Sequence, residues 1–282
     1  MKRTVGTLLG LAVLWSAGVG GPARAQETKL DNPQIVIGYE PVTNSNYQGV
    51  ADRLRARGVL EDLKQFLAPL RLPRTLEVKT KQCGATNSWY EPHGGVSICY
   101  EFVDWMERLA PIENLPIGIS RQDAVVGPFV QVLFHELGHA VFDLLQVPIF
   151  GREEDAADQA AGFIMLQFGK EVARKTLPGA AYFWQAGSTD WSHLLFADVH
   201  GNPVQRSYNY LCMAYGGDQE TFKDLVDQGL LPKSRALSCP HEFQQLRNAF
   251  VKTIYPHIDP DLLKVVQSRQ WLRADDGSFG TP

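Results

Sequence analysis

Apolar positions fall in blocks along the chain, and their spacing changes from one block to the next. After Lys2 and Arg3, an apolar stretch runs from Val5 to Val19, broken only by small or hydroxylated residues. Ala23 and Ala25 then place small side chains where a signal peptidase reads them, so residues 1–25 read as a cleaved signal peptide with Gln26 as the new N-terminus. Ile35 to Tyr39 (IVIGY) is short and β-branched and predicts a strand. From Gly49 to Leu70 the apolar residues recur mostly at helical spacing, which predicts one amphipathic helix. Thr75 to Thr80 alternates like a half-buried strand. Ser88–Tyr90 and Val96–Tyr100 flank a Gly94-Gly95 turn and predict a hairpin. The longest apolar stretch is Ala124 to Leu145. Gly127-Pro128 interrupts it, so the helix is expected to start near Pro128, a residue tolerated in a first turn. That helix is apolar nearly all round and should be central and buried. Pro148 and Gly151 mark a short turn, after which a second helix is expected over 153–168 with Gly169 as C-cap.

Residues 190–217 and 239–272 carry mostly helical patterns, and the Gly/Ser/Pro-rich end, 273–282, reads as a disordered tail. Strands early and helices late imply an α+β fold: a small N-terminal sheet, the long apolar helix packed beneath it, and a mostly helical C-terminal part. The expected organisation is one domain over 26–272, with a core at 33–170 and a helical subdomain at 171–272. No internal repeat or low-complexity block is present.

Charge narrows the partners. Formal net charge is −4 and becomes −7 once Lys2, Arg3 and Arg24 leave with the leader. A mildly acidic chain lacks the basic patch that phosphate binding needs, which argues against nucleic acid. No later apolar run reads as long enough to span a bilayer, so no stable membrane insertion is expected after cleavage. A secreted or periplasmic protein is the implied location. Four cysteines follow the leader: Cys83, Cys99, Cys212 and Cys239. In an exported chain they read first as disulfides, with three possible connectivities. The close pairs are Cys83 with Cys99 and Cys212 with Cys239, each closing a loop worth about 3 kcal/mol in the chain-entropy model. No CxxC spacing supports a cysteine zinc site.

Residues 135–139 read His-Glu-Leu-Gly-His, an HExxH motif. On a helix, positions i and i+4 share a face, so His135 and His139 can reach one zinc ion while Glu136 points at its water. Zinc lowers the pKa of such a water from near 16 towards about 7, within reach of a carboxylate base. The uncharged Leu137, Gly138 and flanks suit a helix buried beneath an active site. Zinc catalysis usually takes a third protein ligand and leaves the fourth position open. Phe142, three residues after His139, does not continue the motif of the zinc-peptidase class that takes a further histidine from the same segment, so the ligand must come from elsewhere. The Pro148–Gly151 turn brings the second helix back, and Glu154 and Asp158 lie one turn apart on it. Glu154 is the expected third ligand, with Glu153, Asp143 and Asp158 as alternatives. Asp158 is expected to accept a hydrogen bond from a ligand imidazole, most simply that of His135. An acidic first turn is also what the helix dipole favours, which accounts for Glu153 and Asp155.

Four segments together resemble a known family: HELGHA, GREEDAADQ, the CxxxNxWY…ICYE hairpin, and DxHxxxxQRxxNxxC from Asp198 to Cys212. They are similar to a metallopeptidase family of secreted bacterial proteins, known mainly as a domain of unknown function. Its metal-site pattern groups it with the gluzincins, which include the thermolysin-like peptidases and the minigluzincins. The resemblance covers roughly residues 33–260. It implies a zinc-dependent peptidase core with one zinc ion per chain on His135, His139 and Glu154, and with Glu136 as base.

Such enzymes stabilise a developing oxyanion with a His, Tyr or Arg on a later element. His200 is the first candidate, followed by Arg206 and Tyr208, although Arg206 could instead pair with Asp198 and Tyr208 could belong to the core. His93, His193, His241 and His257 carry no pattern. The implied activity is peptide-bond hydrolysis, with the Val96–Tyr100 edge aligning an extended peptide or protein substrate. The alternatives are a zinc amidase acting on cell-wall or other non-protein amides, and a non-catalytic zinc-binding or partner-binding protein.

Overall fold

The computed structural model describes residues 30–110, 118–187 and 197–271. The expected signal peptide, the tail at 273–282 and His193 lie outside the described residues.

The fold is α+β. Strands β1 (Ile35–Tyr39), β2 (Leu76–Lys81), β3 (Ser88–Glu91) and β4 (Gly95–Cys99) form a mixed sheet in the order β1-β2-β4-β3. The β1–β2 and β2–β4 pairs are parallel, and the β3–β4 hairpin is antiparallel. Every residue of β4 is buried, because its GVSIC sequence is enclosed by β2 and β3 on its sides. This corrects the expected substrate edge: Val96–Tyr100 is interior, and β3 is the edge strand of the hairpin. Tyr100 in fact opens a helix, α3 (Tyr100–Leu109), that buries Tyr100, Phe102, Val103 and Met106.

The β1–β2 crossover holds α1 (Gln48–Ala56) and α2 (Val59–Phe66) in place of the single helix expected over 49–70. The break falls at Gly58, whose φ of 62° puts it in the left-handed region that terminates a helix. Tyr39 then receives the chain, its hydroxyl accepting the Leu60 N–H at 2.9 Å.

The central helix α4 runs Arg121–Leu145, seven residues earlier than Pro128 would place its start. Ser120 and Asp123 form a capping box at its N-terminus. Gly127-Pro128 lies inside the helix as a packing contact. A Cβ on Gly127 would sit 2.5 Å from the Thr176 carbonyl oxygen in α6 (Lys170–Ala186), and one on Gly179 would sit 2.1 Å from that of Asp123. The two helices therefore cross backbone to backbone, each at a glycine beside a proline. By length and composition α4 would pass for a membrane span, contrary to the sequence expectation; its burial in the core explains that apolarity.

After α4 come α5 (Glu153–Met165), a 3-10 turn over Leu166–Phe168, and α6. Then follow α7 (Pro203–Gly217), the short α8 (Lys223–Asp227) and α9 (Lys233–Ala236), α10 (Cys239–Thr253) and α11 (Pro260–Ser268). One cluster of buried side chains joins Val78, Val96 and Ile98 of the sheet to Phe134 of α4, Phe183 of α6 and Tyr210 of α7.

The cysteines pair as Cys83–Cys99 and Cys212–Cys239, with Cα atoms 5.5 and 5.1 Å apart. The second bond joins α7 to α10 across a separation of 27 residues. Replacing both Cys212 and Cys239 with Ser should cost about 3 kcal/mol by freeing the unfolded chain. At roughly 2–4 °C per kcal/mol for a protein of this size, the melting temperature should fall by about 10 °C in a calorimetric scan. An unchanged transition would mean that the bond does not brace the fold.

Candidate metal centre

The HExxH segment occupies the C-terminal half of α4, and Gly138 within it determines how close α5 can come. A Cβ on Gly138 would meet the Ala157 Cα at 3.3 Å, so the Gly–Ala contact lets the two helices pack tightly. That approach brings the first turn of α5 over the two histidines. Glu154 Oε2 lies 3.1 Å from His135 Nε2 and 3.2 Å from His139 Nε2, and the two nitrogens are 3.3 Å apart. The outer nitrogen of each ring faces another carboxylate: His135 Nδ1 lies 2.8 Å from Asp158, and His139 Nδ1 lies 2.8 Å from Glu153.

This arrangement tests whether a metal fits. A neutral imidazole that donates Nδ1–H to a carboxylate has only a lone pair at Nε2. Two such lone pairs and a carboxylate oxygen then converge with no donor among them, which is stable only around a cation or a proton. A tetrahedral centre with bonds of about 2.0–2.2 Å also spaces its donors about 3.3 Å apart, close to the separations observed. The residues present fit a zinc-type ion.

Burial alone would lower the basicity of His135. The Asp158 and Glu154 contacts outweigh it and raise the ring to a pKa of about 9 in the metal-free protein. His139 is raised too: burial opposes protonation, but Glu154 and Glu153 prevail. Glu154 is held well below the ordinary carboxylate range, its partial burial overcome by hydrogen bonds from His135, His139 and His200. Because the metal needs the unprotonated rings, its uptake must displace protons. Apparent zinc affinity should therefore climb at least about tenfold per pH unit from near neutrality, a factor of about ten for each ring still protonated, and flatten above about pH 9 once His135 is deprotonated. A competition titration against a chelator at several pH values would check this, and a flat profile would contradict it.

Asp158 sits at the hub of a buried network. It takes two bonds from Arg206 (Nε and Nη2, both 2.6 Å), one from Tyr210 Oη at 2.8 Å and one from Gln131 Nε2 at 3.3 Å, besides the His135 contact. Burial alone would raise its pKa, but the Arg206 charge and the His135 bond hold it well below the usual range. The Arg206 guanidinium lies 3.6 Å from the centre of the Trp184 ring, and the Trp184 indole N–H donates to Gln131 at 2.9 Å.

Glu136 is 7% exposed, and burial raises its pKa. Its carboxylate accepts the backbone N–H of Tyr90 in β3. Tyr90 Oη donates to Asp143 at 2.5 Å, which also receives Arg74 at 2.7 Å, so one residue of the edge strand is pinned to α4 at two points. His200 reaches in from the segment before α7, its Nε2 2.9 Å from Glu154 Oε2.

Around these groups lies an open cleft of about 880 Å³, lined among others by Trp89, Tyr90, Trp184 and His200. Of the three candidates for balancing an oxyanion, His200 and Arg206 line the cleft, and His200 is the exposed one of the two. Arg206 borders the cleft but is bound to Asp158 and not to the nearer-in-sequence Asp198. Tyr208 lines a separate shallow depression with Asn202 and Arg235. The helix accounts for this: at about 100° per residue, Arg206 and Tyr210 share the face towards Asp158, while Tyr208, half-buried against the core, points away from the cleft. Sequence reasoning missed Gln131, Trp184 and Tyr210. Gln131 carried a readable signal, as the lone polar residue in the apolar run Phe129–Phe134 and one turn before His135.

Residues 39–254 match the model of a family described as "Putative metallopeptidase". The chain belongs to this family. No curated protein and no solved structure matches the chain. Family membership and the converging His and Glu donors agree on a metal-dependent peptidase-like protein. The two disulfides also suit an oxidising, extracellular setting.

Proposed function

We propose that this family member is an exported zinc-dependent peptidase of the gluzincin type. His135, His139 and Glu154 would hold one zinc ion, and Glu136 would serve as general base. The observation that carries this reading is the convergence of three acceptor atoms beside a buried carboxylate, at the floor of a cleft bordered by an edge strand. Bound zinc supplies Lewis acidity, which polarises a scissile carbonyl and makes water acidic enough to be deprotonated at neutral pH.

The chain's own groups do the rest. Asp158 and Glu153 hold the Nδ1–H of each ligand ring, which fixes the tautomer and turns the Nε2 lone pairs inward. Glu136, made more basic by burial, takes the proton of the attacking water and passes it to the departing amine. The β3 edge aligns an extended peptide by backbone pairing, which favours peptide bonds over isolated amides. His200 faces the site from the open side, where charge develops on the substrate oxygen.

Elemental analysis by mass spectrometry should find one zinc per chain in the purified protein and little in His135→Ala or Glu154→Ala. Casein fragments should accumulate only with the zinc-loaded wild type. A protein that holds no metal, and regains none on adding zinc, would overturn the reading.

A further inference from the structure

We propose that His200 is a fourth, displaceable imidazole donor that closes the metal site at rest; the proposal rests on the zinc reading above. Three imidazoles repeat one arrangement. His135, His139 and His200 each have Nδ1 2.8 Å from a carboxylate, supplied by Asp158, Glu153 and Asp198 respectively. Each also has Nε2 close to the same atom, Glu154 Oε2, at 3.1, 3.2 and 2.9 Å. Carboxylate–histidine pairs of this form mark metal ligands, because the carboxylate fixes the tautomer that turns a lone pair inward. A donor atom of His200 falls within 4.8 Å of donors from both His135 and Glu154, and the His135 and His200 rings are nearly parallel with centroids 6.0 Å apart.

The bland alternative is that His200 simply braces Glu154. Only an imidazolium, with two N–H groups, could do so and also donate to Asp198; a neutral ring that gives its one N–H to Asp198 presents Nε2 as a lone pair towards the Glu154 carboxylate. A cation shared with His135 and Glu154 satisfies both ends of a neutral ring.

His200 differs from the other two in where it stands. Those project from the C-terminal half of α4 with side chains 4% and 12% exposed, whereas His200 is 41% exposed and sits in the segment just before α7. Its local ties are an Asp198 side chain that also takes the His200 N–H at 2.8 Å and a long bond from Arg152 to its carbonyl at 3.4 Å. A ligand so placed can leave without disturbing a helix. Four protein donors make the closed coordination of a structural zinc, while three leave the opening that catalysis requires. A substrate carbonyl entering along β3 would displace His200, whose freed ring would then face the substrate oxygen.

Long-range proton–nitrogen correlation spectra of the histidine-labelled full chain, titrated with zinc, test this directly. Assignments come from His135→Ala, His139→Ala and His200→Ala. Zinc should move the Nε2 signals of all three rings into the metal-bound range, and a peptide hydroxamate that competes for the open position should return that of His200 alone. If only His135 and His139 shift, His200 is not a donor and the peptidase reading stands without it. If zinc shifts none of the three, both proposals fail.

Discussion

Glu136→Gln should lose about 10²–10⁴ in turnover, the range that a positioned general base contributes, while still binding one zinc per chain. The substitution keeps the size of the side chain and an oxygen able to accept the Tyr90 N–H, but the amide has no basic lone pair for a proton. The three donors to the metal are elsewhere, on His135, His139 and Glu154, and their mutual contacts do not involve Glu136. Zinc content and cleavage of a quenched fluorescent peptide, measured on the same preparation, separate the two roles. Loss of metal together with activity would make Glu136 a ligand; undiminished cleavage would remove it from the chemistry. Should the substrate prove to be a cell-wall amide, the same contrast holds with that substrate, because proton removal from water is common to both.

Much of this site could be read before the fold was known because its spacing is local. An i, i+4 pair on one helix shares a face in whatever fold contains it, and Glu154 and Asp158 repeat that spacing on the next helix after a short turn. The contact between His135 and Asp158 follows once α4 and α5 pack antiparallel. What could not be read depends on distant partners. Val96–Tyr100 looks like an edge until β2 is placed beside it, since parallel pairing across a helical crossover leaves no local mark. Gly127-Pro128 looks like a helix boundary until α6 brings its own Pro178-Gly179 to the same crossing, where the absent side chains allow the backbones to meet. The Arg206 partner was ambiguous for a similar reason. Asp198 is eight residues away and Asp158 forty-eight, yet the inward face of α7 meets the latter. Gln131 and Tyr210 share that lesson: each lies one helical turn from a residue already singled out, and extending the face by four positions would have found both.

Arg206→Met tests the network that supports the metal site. The guanidinium gives Asp158 two short bonds in a region where Arg206 is 5% and Asp158 6% exposed, so solvent cannot replace them. Removing one partner of such a pair leaves a buried charge without its counterion, at a cost of about 3–5 kcal/mol. At roughly 2–4 °C per kcal/mol, the melting temperature should fall by about 10 °C or more. Methionine retains the apolar contact with Trp184, so the loss reports the charge and not an empty space. Adding Asp158→Asn should recover part of the loss, because a neutral amide no longer requires the cation; the two changes will therefore be far from additive. The double variant should nevertheless bind zinc about 10–100-fold more weakly than Arg206→Met, since an amide holds the His135 ring less firmly than a carboxylate does. Stability and metal affinity thus move in opposite directions between the single and double variants, a pattern that general disruption of the core would not produce. If Arg206→Met melts within about 2 °C of the wild type, the charge pair is not what holds α7 against α5, and the orientation of His135 must come from Tyr210 and Gln131.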